Sequence, residues 1–352
     1  MSNPQIPPIG LGFGSLSGSY GPPGTLEERL SLLDHAHATG LHHWDMADVY
    51  GDSEDVVGEW IKSRPEKRND IFIATKFGLQ WQAEGKFTFR SDPAYVREAL
   101  EKSLRRLGVE RIDLYYCHRV DGVTPIERTV QAMVELKKEG KIKHIGLSEV
   151  SVETLHRAHA VHPITALQME YSLFTLDIES PPHSSPSSSG SSILSTARTL
   201  GTTIVAYSPI GRGILSGSFP TRSSLPPNDL RTMYPKYAES NFPAIMELVR
   251  GIEEVARRLG QGVTAAQVAL AWVLAQGKRE EEAGGFRVVA IPGTKSRARM
   301  EENADAERVA ELLSEADVEG LRSLAEGVRG RISGGRYPAA TMATLCTDTP
   351  PL

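Results

Sequence analysis

Segments of strand character and of helix character alternate along almost the whole chain, and that alternation restricts its fold more than any other feature. Residues 41–45, 71–77, 112–118, 142–148, 167–171, 203–207 and 288–292 are short runs rich in β-branched, aliphatic or aromatic side chains, as strands are. Residues 52–64, 92–107, 125–139, 151–160, 193–200, 264–275 and 301–313 carry helical spacing. Thr25-Leu-Glu-Glu28 is a capping box for a helix ending at Gly40. Asp92-Pro93 joins an N-cap to a proline at the first helical position. Strands separated by helices of this length imply right-handed crossovers and a parallel sheet. About eight such units favour a closed (β/α)8 TIM barrel over an open doubly wound sheet.

The glycines agree. An open sheet that binds a dinucleotide carries G-x-G-x-x-G between its first strand and helix. Gly10-Leu-Gly12-Phe-Gly14 has the wrong spacing, and Gly211-Arg-Gly213 lies far downstream without the third glycine. Two segments interrupt the rhythm. Residues 180–192 have the Ser/Pro composition of a flexible linker. Because the pattern continues in register on both sides, they read as a surface insertion after the sixth strand. Residues 1–330 then form a single barrel domain, followed by a C-terminal tail, 331–352. Residues 210–242, rich in Gly, Pro and Ser, follow the seventh strand, where a long loop lies on the rim and would cover a ligand.

Charge and composition exclude several alternatives. A formal net charge of −5 over 352 residues offers no basic footprint for nucleic acid or an anionic membrane. No apolar run approaches the roughly 20 residues that span a bilayer. Residues 1–8 are polar and proline-rich, unlike the apolar core of a secretory leader. Cys117 and Cys346 are too few for a disulfide framework. The expectation is a cytoplasmic protein that acts on a small molecule, without nucleic-acid or membrane partners, as a monomer or weak homo-oligomer.

Asp45 ends the second strand and Tyr50 follows it; Lys76 lies near the end of the third, and His118 ends the fourth. In a parallel barrel these strand ends share one rim, so the four converge. A tyrosine of ordinary pKa, about 10, is a weak acid at neutral pH, and a lysine cation beside it favours the phenolate. Asp45 can hold Lys76 in place and keep it charged, and His118 can hydrogen-bond a substrate oxygen. Together they can donate a proton to a carbonyl as a hydride reaches its carbon. Taken singly, each has an ordinary role as a turn former, a solvated cation or packing; as a set on one rim they point to chemistry. His35, His37, His42 and His43 lack ligand spacing, so no metal is expected. Thr294, Lys295, Ser296 and Arg299 follow the eighth strand, where barrels often bind phosphate at a helix N-terminus. A cation cluster there favours NADP over NAD, since only NADP carries a ribose 2′-phosphate.

Trp44-Asp-Met-Ala-Asp-Val-Tyr-Gly51, Ala74-Thr-Lys76, Ile112-Asp-Leu-Tyr-Tyr-Cys-His118, Lys141-Ile-Lys-His-Ile-Gly-Leu-Ser148 and Ile291-Pro-Gly293-Thr294, with Glu302-Asn303, occur in this order. Over residues 9–324 the chain resembles the aldo-keto reductase superfamily. The resemblance implies a catalytic tetrad of Asp45, Tyr50, Lys76 and His118, with Tyr50 the acid. It implies that Ser148 and Gln168 hold the nicotinamide amide, that Tyr207 stacks on its ring, and that Ser208, Ile210, Gly211 and Arg212 cover the pyrophosphate. Gly293, Thr294 and Lys295 would line the phosphate end, Arg299 would contact the 2′-phosphate, and Glu302 and Asn303 the adenine. Cys117-His-Arg-Val-Asp-Gly122, Gly140-Lys-Ile-Lys143 and Gln168-Met-Glu-Tyr-Ser-Leu-Phe174 are most similar to fungal members of the pyridoxal-reductase type, although Met46 stands where threonine or serine is usual. The implied activity is NADPH-dependent reduction of an aldehyde or ketone, pyridoxal or a secondary-metabolite carbonyl among them. Potassium-channel β-subunits, nucleotide sensors with little turnover, share the resemblance. They carry asparagine at the fourth tetrad position, where this chain has His118.

Overall fold

The computed structural model describes residues 5–18, 21–82, 87–181, 190–278 and 286–352. Eight parallel strands form the sheet: β1 Gly10–Gly12, β2 His43–Asp45, β3 Phe72–Phe77, β4 Ile112–Cys117, β5 Ile142–Ser148, β6 Ala166–Glu170, β7 Thr203–Tyr207 and β8 Val288–Ala290. They neighbour one another in chain order. A bridge between Ile9 and Ala290, with Gly12 N donating to Pro292 O at 3.1 Å, joins the first strand to the last. The expected barrel is therefore closed, and its eight-stranded sheet has no free edge among the described residues.

Its first strand is the glycine-rich stretch that fits no dinucleotide turn. Gly10–Gly12 has neither the length nor the branched side chains that mark a strand in sequence. A Cβ on Gly12 would lie 2.8 Å from the Ile291 carbonyl oxygen, so close approach to the segment after β8 requires glycine there.

Helices α1 Leu26–Ala38, α2 Ser53–Ser63, α3 Pro93–Leu107, α4 Ile126–Lys138, α5 Val152–Val161 and α6 Ile193–Leu200 alternate with the strands. The Thr25–Glu28 capping box forms, and Asp92 accepts from Tyr95 N at 3.0 Å. After β7 come α7 Phe242–Leu259 and α8 Ala265–Ala275, and after β8 come α9 Arg297–Ala304, α10 Ala306–Leu312 and α11 Glu315–Arg329. The single helix expected over residues 301–313 is thus two helices, α9 and α10. Asp305 interrupts it, its carboxylate taken up by Gln267 and Arg308. Helix α7 was not expected, although Ile245, Leu248, Val249, Ile252 and Ala256 are buried at helical spacing. Leu79–Trp81 and Phe87–Phe89 form a small antiparallel pair beyond β3, also unexpected. Most of the Ser/Pro insertion, residues 182–189, lies outside the described residues.

Alternate residues of each strand face the barrel interior. Ala74, Leu114, Tyr116, Ala166, Val205, Val289 and Ile291 pack there as one apolar cluster, with Ile6 from ahead of β1. The larger apolar core lies between strands and helices. Two residues on from the interior positions of β3, β6 and β7 the inward side chains become Lys76, Gln168 and Tyr207, so the C-terminal rim is polar above a mostly apolar interior. The tail, residues 331–352, crosses this rim. Gly334 starts the crossing with φ of 87°, and a Cβ on it would meet Pro235 Cβ at 2.6 Å. Asn241 bonds both ends of Ser333, Cys346 N donates to Glu149 O at 2.9 Å, and Arg157 holds the carbonyls of Thr349 and Pro350.

Candidate active site

The four expected residues do meet. Lys76 Nζ donates to Asp45 Oδ1 and to Met46 O, each at 2.5 Å. It lies 5.1 Å from the centre of the Tyr50 ring, which packs edge-on to His118 with centroids 5.8 Å apart. Adjacent parallel strands supply Asp45 and Lys76, and the turn after β2 brings Tyr50 back over them.

That turn is held from outside by a residue that motif reading missed. Arg106, at the end of α3, donates to the carbonyls of Asp48 and Gly51 and pairs with Glu54 and Asp55. Glu54 in turn accepts from Thr75 Oγ1 at 2.7 Å, tying the turn to β3. An arginine in a basic helical end gave no sign of this role in sequence.

The electrostatics differ from expectation in one respect. Lys76 does favour the Tyr50 phenolate, but burial outweighs it, and the phenol is pushed up from its ordinary value of 10. Tyr50 therefore keeps its proton at neutral pH. Burial, aided by Arg119 and Lys76, pushes His118 well below 6.5, so the imidazole is neutral. Its Nδ1 is buried and has no partner among the described residues, leaving hydrogen-bonding capacity for a ligand. Arg119 is a second cation beside the tetrad and donates to Ser148 Oγ at 3.2 Å.

The residues expected at the nicotinamide gather beside the tetrad. Ser148 ends β5, and Gln168 on β6 turns its Nε2 to Asp45 Oδ2 at 2.8 Å. Tyr207 ends β7, its hydroxyl 2.9 Å from Glu149 Oε1. Ser208, Ile210, Gly211 and Arg212 follow at once. Ser208, Gly211 and Arg212 all adopt positive φ, between 50° and 56°, which bends this loop back over the rim. Arg212 is already engaged: its guanidinium lies between the rings of Tyr234 and Tyr337, at 4.7 and 4.8 Å, and reaches Glu170 Oε2 at 3.4 Å.

The phosphate-end residues lie together at the start of α9. Thr294 Oγ1 accepts from Ser296 N, Ser296 caps the helix, and Gly293 and Arg299 are exposed. Asn303 is buried within α9. Two residues are turned elsewhere. Lys295 donates to the carbonyls of Gly21 and Pro22, and Glu302 accepts from Thr264. An exposed arginine above a capped helix start suits a phosphate, and Tyr207, Ser148 and Gln168 on the rim offer a ring, a hydroxyl and an amide. The histidines have other partners: His35 pairs with Glu301 and His37 with Asp70, His42 packs on His37 and bonds its carbonyl, and His43 is fully buried. Among the described residues no three metal-ligating side chains gather, and no helix is long and apolar enough to cross a membrane.

Sequence reasoning also missed the group above Tyr207. Glu149 is fully buried. Burial alone would raise its carboxyl, but Arg336 beside it brings the value down to about 2. Arg336 comes from the tail, where neither periodicity nor motif marks it.

The aldo/keto reductase family model matches residues 8–326. The chain belongs to the aldo/keto reductase family. It is 47% identical over 349 residues to the aldo-keto reductase str7 of Strobilurus tenacellus, covering 97% of this chain and 95% of that one. It is 38% identical over 355 residues to the aldo-keto reductase yakc [NADP(+)] of Schizosaccharomyces pombe, covering 100% and 97%. Among solved structures, the glycerol dehydrogenase AKR11B4 from Gluconobacter oxydans superposes with a TM-score of 0.74 at 27% identity, over 95% of this chain and 97% of that one. Family membership makes the protein an oxidoreductase, and its barrel matches the family's architecture.

Proposed function

We propose that this aldo-keto reductase uses NADPH to reduce an aldehyde or ketone to an alcohol, with Tyr50 as the proton donor. The cluster of Asp45, Lys76, Tyr50 and His118 on the polar rim carries this reading. A relative whose name includes NADP(+) and the exposed Arg299 support the choice of cofactor. NADPH, when bound, would supply the hydride for the carbonyl carbon.

The chain's own residues do the rest. Neutral His118 donates a hydrogen bond to the carbonyl oxygen and fixes its position. Tyr50, still protonated, gives its proton to that oxygen as negative charge builds there. Lys76 and Arg119 stabilise the phenolate left behind, and Asp45 offsets the cost of burying the Lys76 ammonium. Ser148 and Gln168 would hold the nicotinamide amide, and Tyr207 would offer its ring as the surface for the nicotinamide.

Pyridoxal or a secondary-metabolite carbonyl is the proposed substrate, from the likeness of residues 117–122, 140–143 and 168–174 to pyridoxal-reductase-type sequences. The deciding experiment follows NADPH absorbance across a carbonyl panel, pyridoxal included, for the wild type and Tyr50→Phe. The variant should lose turnover while binding NADPH within about twofold of the wild type. Undiminished reduction by Tyr50→Phe would reject Tyr50 as the acid. Activity confined to bulky ketones would reject pyridoxal.

A further inference from the structure

Glu149 follows Ser148 with φ of 50°, a conformation that non-glycine residues rarely enter and that tends to mark functional positions. Its carboxylate is closed off from solvent and crowded with donors. Oε1 accepts from Glu170 N at 3.1 Å, Tyr207 Oη at 2.9 Å and Arg336 Nη1 at 2.9 Å; Oε2 accepts from Arg336 Nη2 at 2.7 Å. Arg336 Nη1 also lies 3.0 Å from Tyr207 Oη and 3.3 Å from Glu170 Oε2. The hydroxyl of Tyr207 is thus held in a corner between a carboxylate and a guanidinium. With Cα fixed by β7 and Oη fixed by this corner, the long axis of the ring, and so its place and tilt on the rim, is set.

Anchoring the tail does not require such an arrangement. Asn241, Arg157 and the Glu149 carbonyl already tie the tail on either side of Arg336. A buried, forked ion pair over a strained backbone is costly to assemble unless the geometry it enforces is used. Tyr337, the next residue, stands 3.3 Å from Tyr207 Oη and packs on Arg212, so the tail touches both the ring and the loop expected over the cofactor.

We propose that Arg336 and Glu149 are positioning residues that set the place and tilt of the Tyr207 ring, and with them the angle at which hydride reaches the substrate, making the C-terminal tail part of the active site. The proposal rests on the reading that Tyr207 carries the nicotinamide. Neither residue touches the reacting atoms; both act through Tyr207.

The test compares the wild type with Arg336→Met, Arg336→Lys, Tyr207→Phe and the double variant Glu149→Met/Arg336→Met. Four quantities are measured: melting temperature without cofactor, NADPH affinity by fluorescence titration, single-turnover hydride transfer, and its isotope effect with NADPH deuterated on either face of C4. Arg336→Met, with an unpaired buried carboxylate, should melt lowest, and the double variant should recover. Hydride transfer in the double variant should still be roughly ten- to hundredfold slower, with a larger isotope effect and NADPH affinity within about threefold. Adding Tyr207→Phe to the double variant should slow it little further, because all three act through one hydroxyl. Arg336→Lys keeps the charge without the fork and should melt near the wild type yet transfer slowly. A folded double variant, or Arg336→Lys, that transfers hydride at the wild-type rate would overturn the proposal. A wild-type protein that does not bind NADPH would instead reject the cofactor reading beneath it.

Discussion

Lys76 holds its ammonium 2.5 Å from Asp45 Oδ1 with side-chain exposures of 0% and 3%, so two opposite charges face each other out of reach of water. Such a pair is held by geometry, and breaking it from one side is expensive. Lys76→Met should cost about 3–5 kcal/mol in urea unfolding, because the Asp45 carboxylate is left buried and unpaired. Asp45→Asn/Lys76→Met should regain at least half of that stability without regaining carbonyl reduction. Recovery of activity with stability would show that the pair serves the fold alone.

The neutral state of His118 has a consequence in pH profiles. Burial, Arg119 and Lys76 hold the imidazole well below 6.5, so it does not titrate between pH 6 and 8. The kcat/KM of carbonyl reduction should show no inflection from His118 in that window. His118→Gln should lower the rate by about 10²-fold while leaving the profile's shape unchanged. An inflection near pH 6.5 that disappears in His118→Gln would contradict this.

Asp48, in the turn that carries Tyr50, titrates in the opposite sense. Burial first, then the neighbouring Glu54 charge, raises its carboxyl from 3.8 to about 7, against the partial relief of Lys102 and Arg106. A raised folded-state value means that the stabilising contribution is complete below about pH 4 and lost as pH rises through 7. Asp48→Asn keeps the shape and removes the charge. Its melting temperature should match the wild type near pH 4 and exceed it at pH 8, by a gain of roughly 1–3 kcal/mol after allowance for partial exposure. A gap that does not widen with pH would refute the assignment.

The rim tetrad and most of the barrel were legible because each depends on signals local in sequence: strand runs, caps, and polar residues at strand ends. What escaped notice depends on distance. Gly10–Gly12 is a strand only because β2 and β8 flank it, since two glycines in three residues have little strand preference of their own. The Phe242–Leu259 helix had a readable apolar stripe, masked by the loop-like composition just before it. Arg106 and Arg336 could not be found by pattern, because each earns its role from groups 50 or more residues away. The direction of the Tyr50 shift was unreadable for a related reason. Lysine proximity can be inferred from strand order, but the depth of burial that outweighs it cannot.

The proposed 2′-phosphate contact at Arg299 would separate two cofactors that the rest of the site would treat alike. Around the start of α9, Lys295 is spent on the carbonyls of Gly21 and Pro22, and Arg297 donates to Ser31 Oγ at 2.6 Å. Among the described residues, Arg299 is the cation of this turn whose side chain no such partner holds, and it is exposed. A guanidinium can grip a phosphate through two parallel hydrogen bonds, whereas a ribose hydroxyl offers it little. Arg299→Ala should therefore weaken NADPH binding about 10- to 100-fold, as expected for a charge-assisted contact of 1.5–3 kcal/mol, and change NADH binding by less than about twofold. The loss should shrink as ionic strength rises, because the contact is exposed and salt screens it. Fluorescence titration of both cofactors at low and high salt measures all three quantities. Equal losses for NADPH and NADH would place the 2′-phosphate elsewhere and leave Arg299 as an ordinary residue of the helix start.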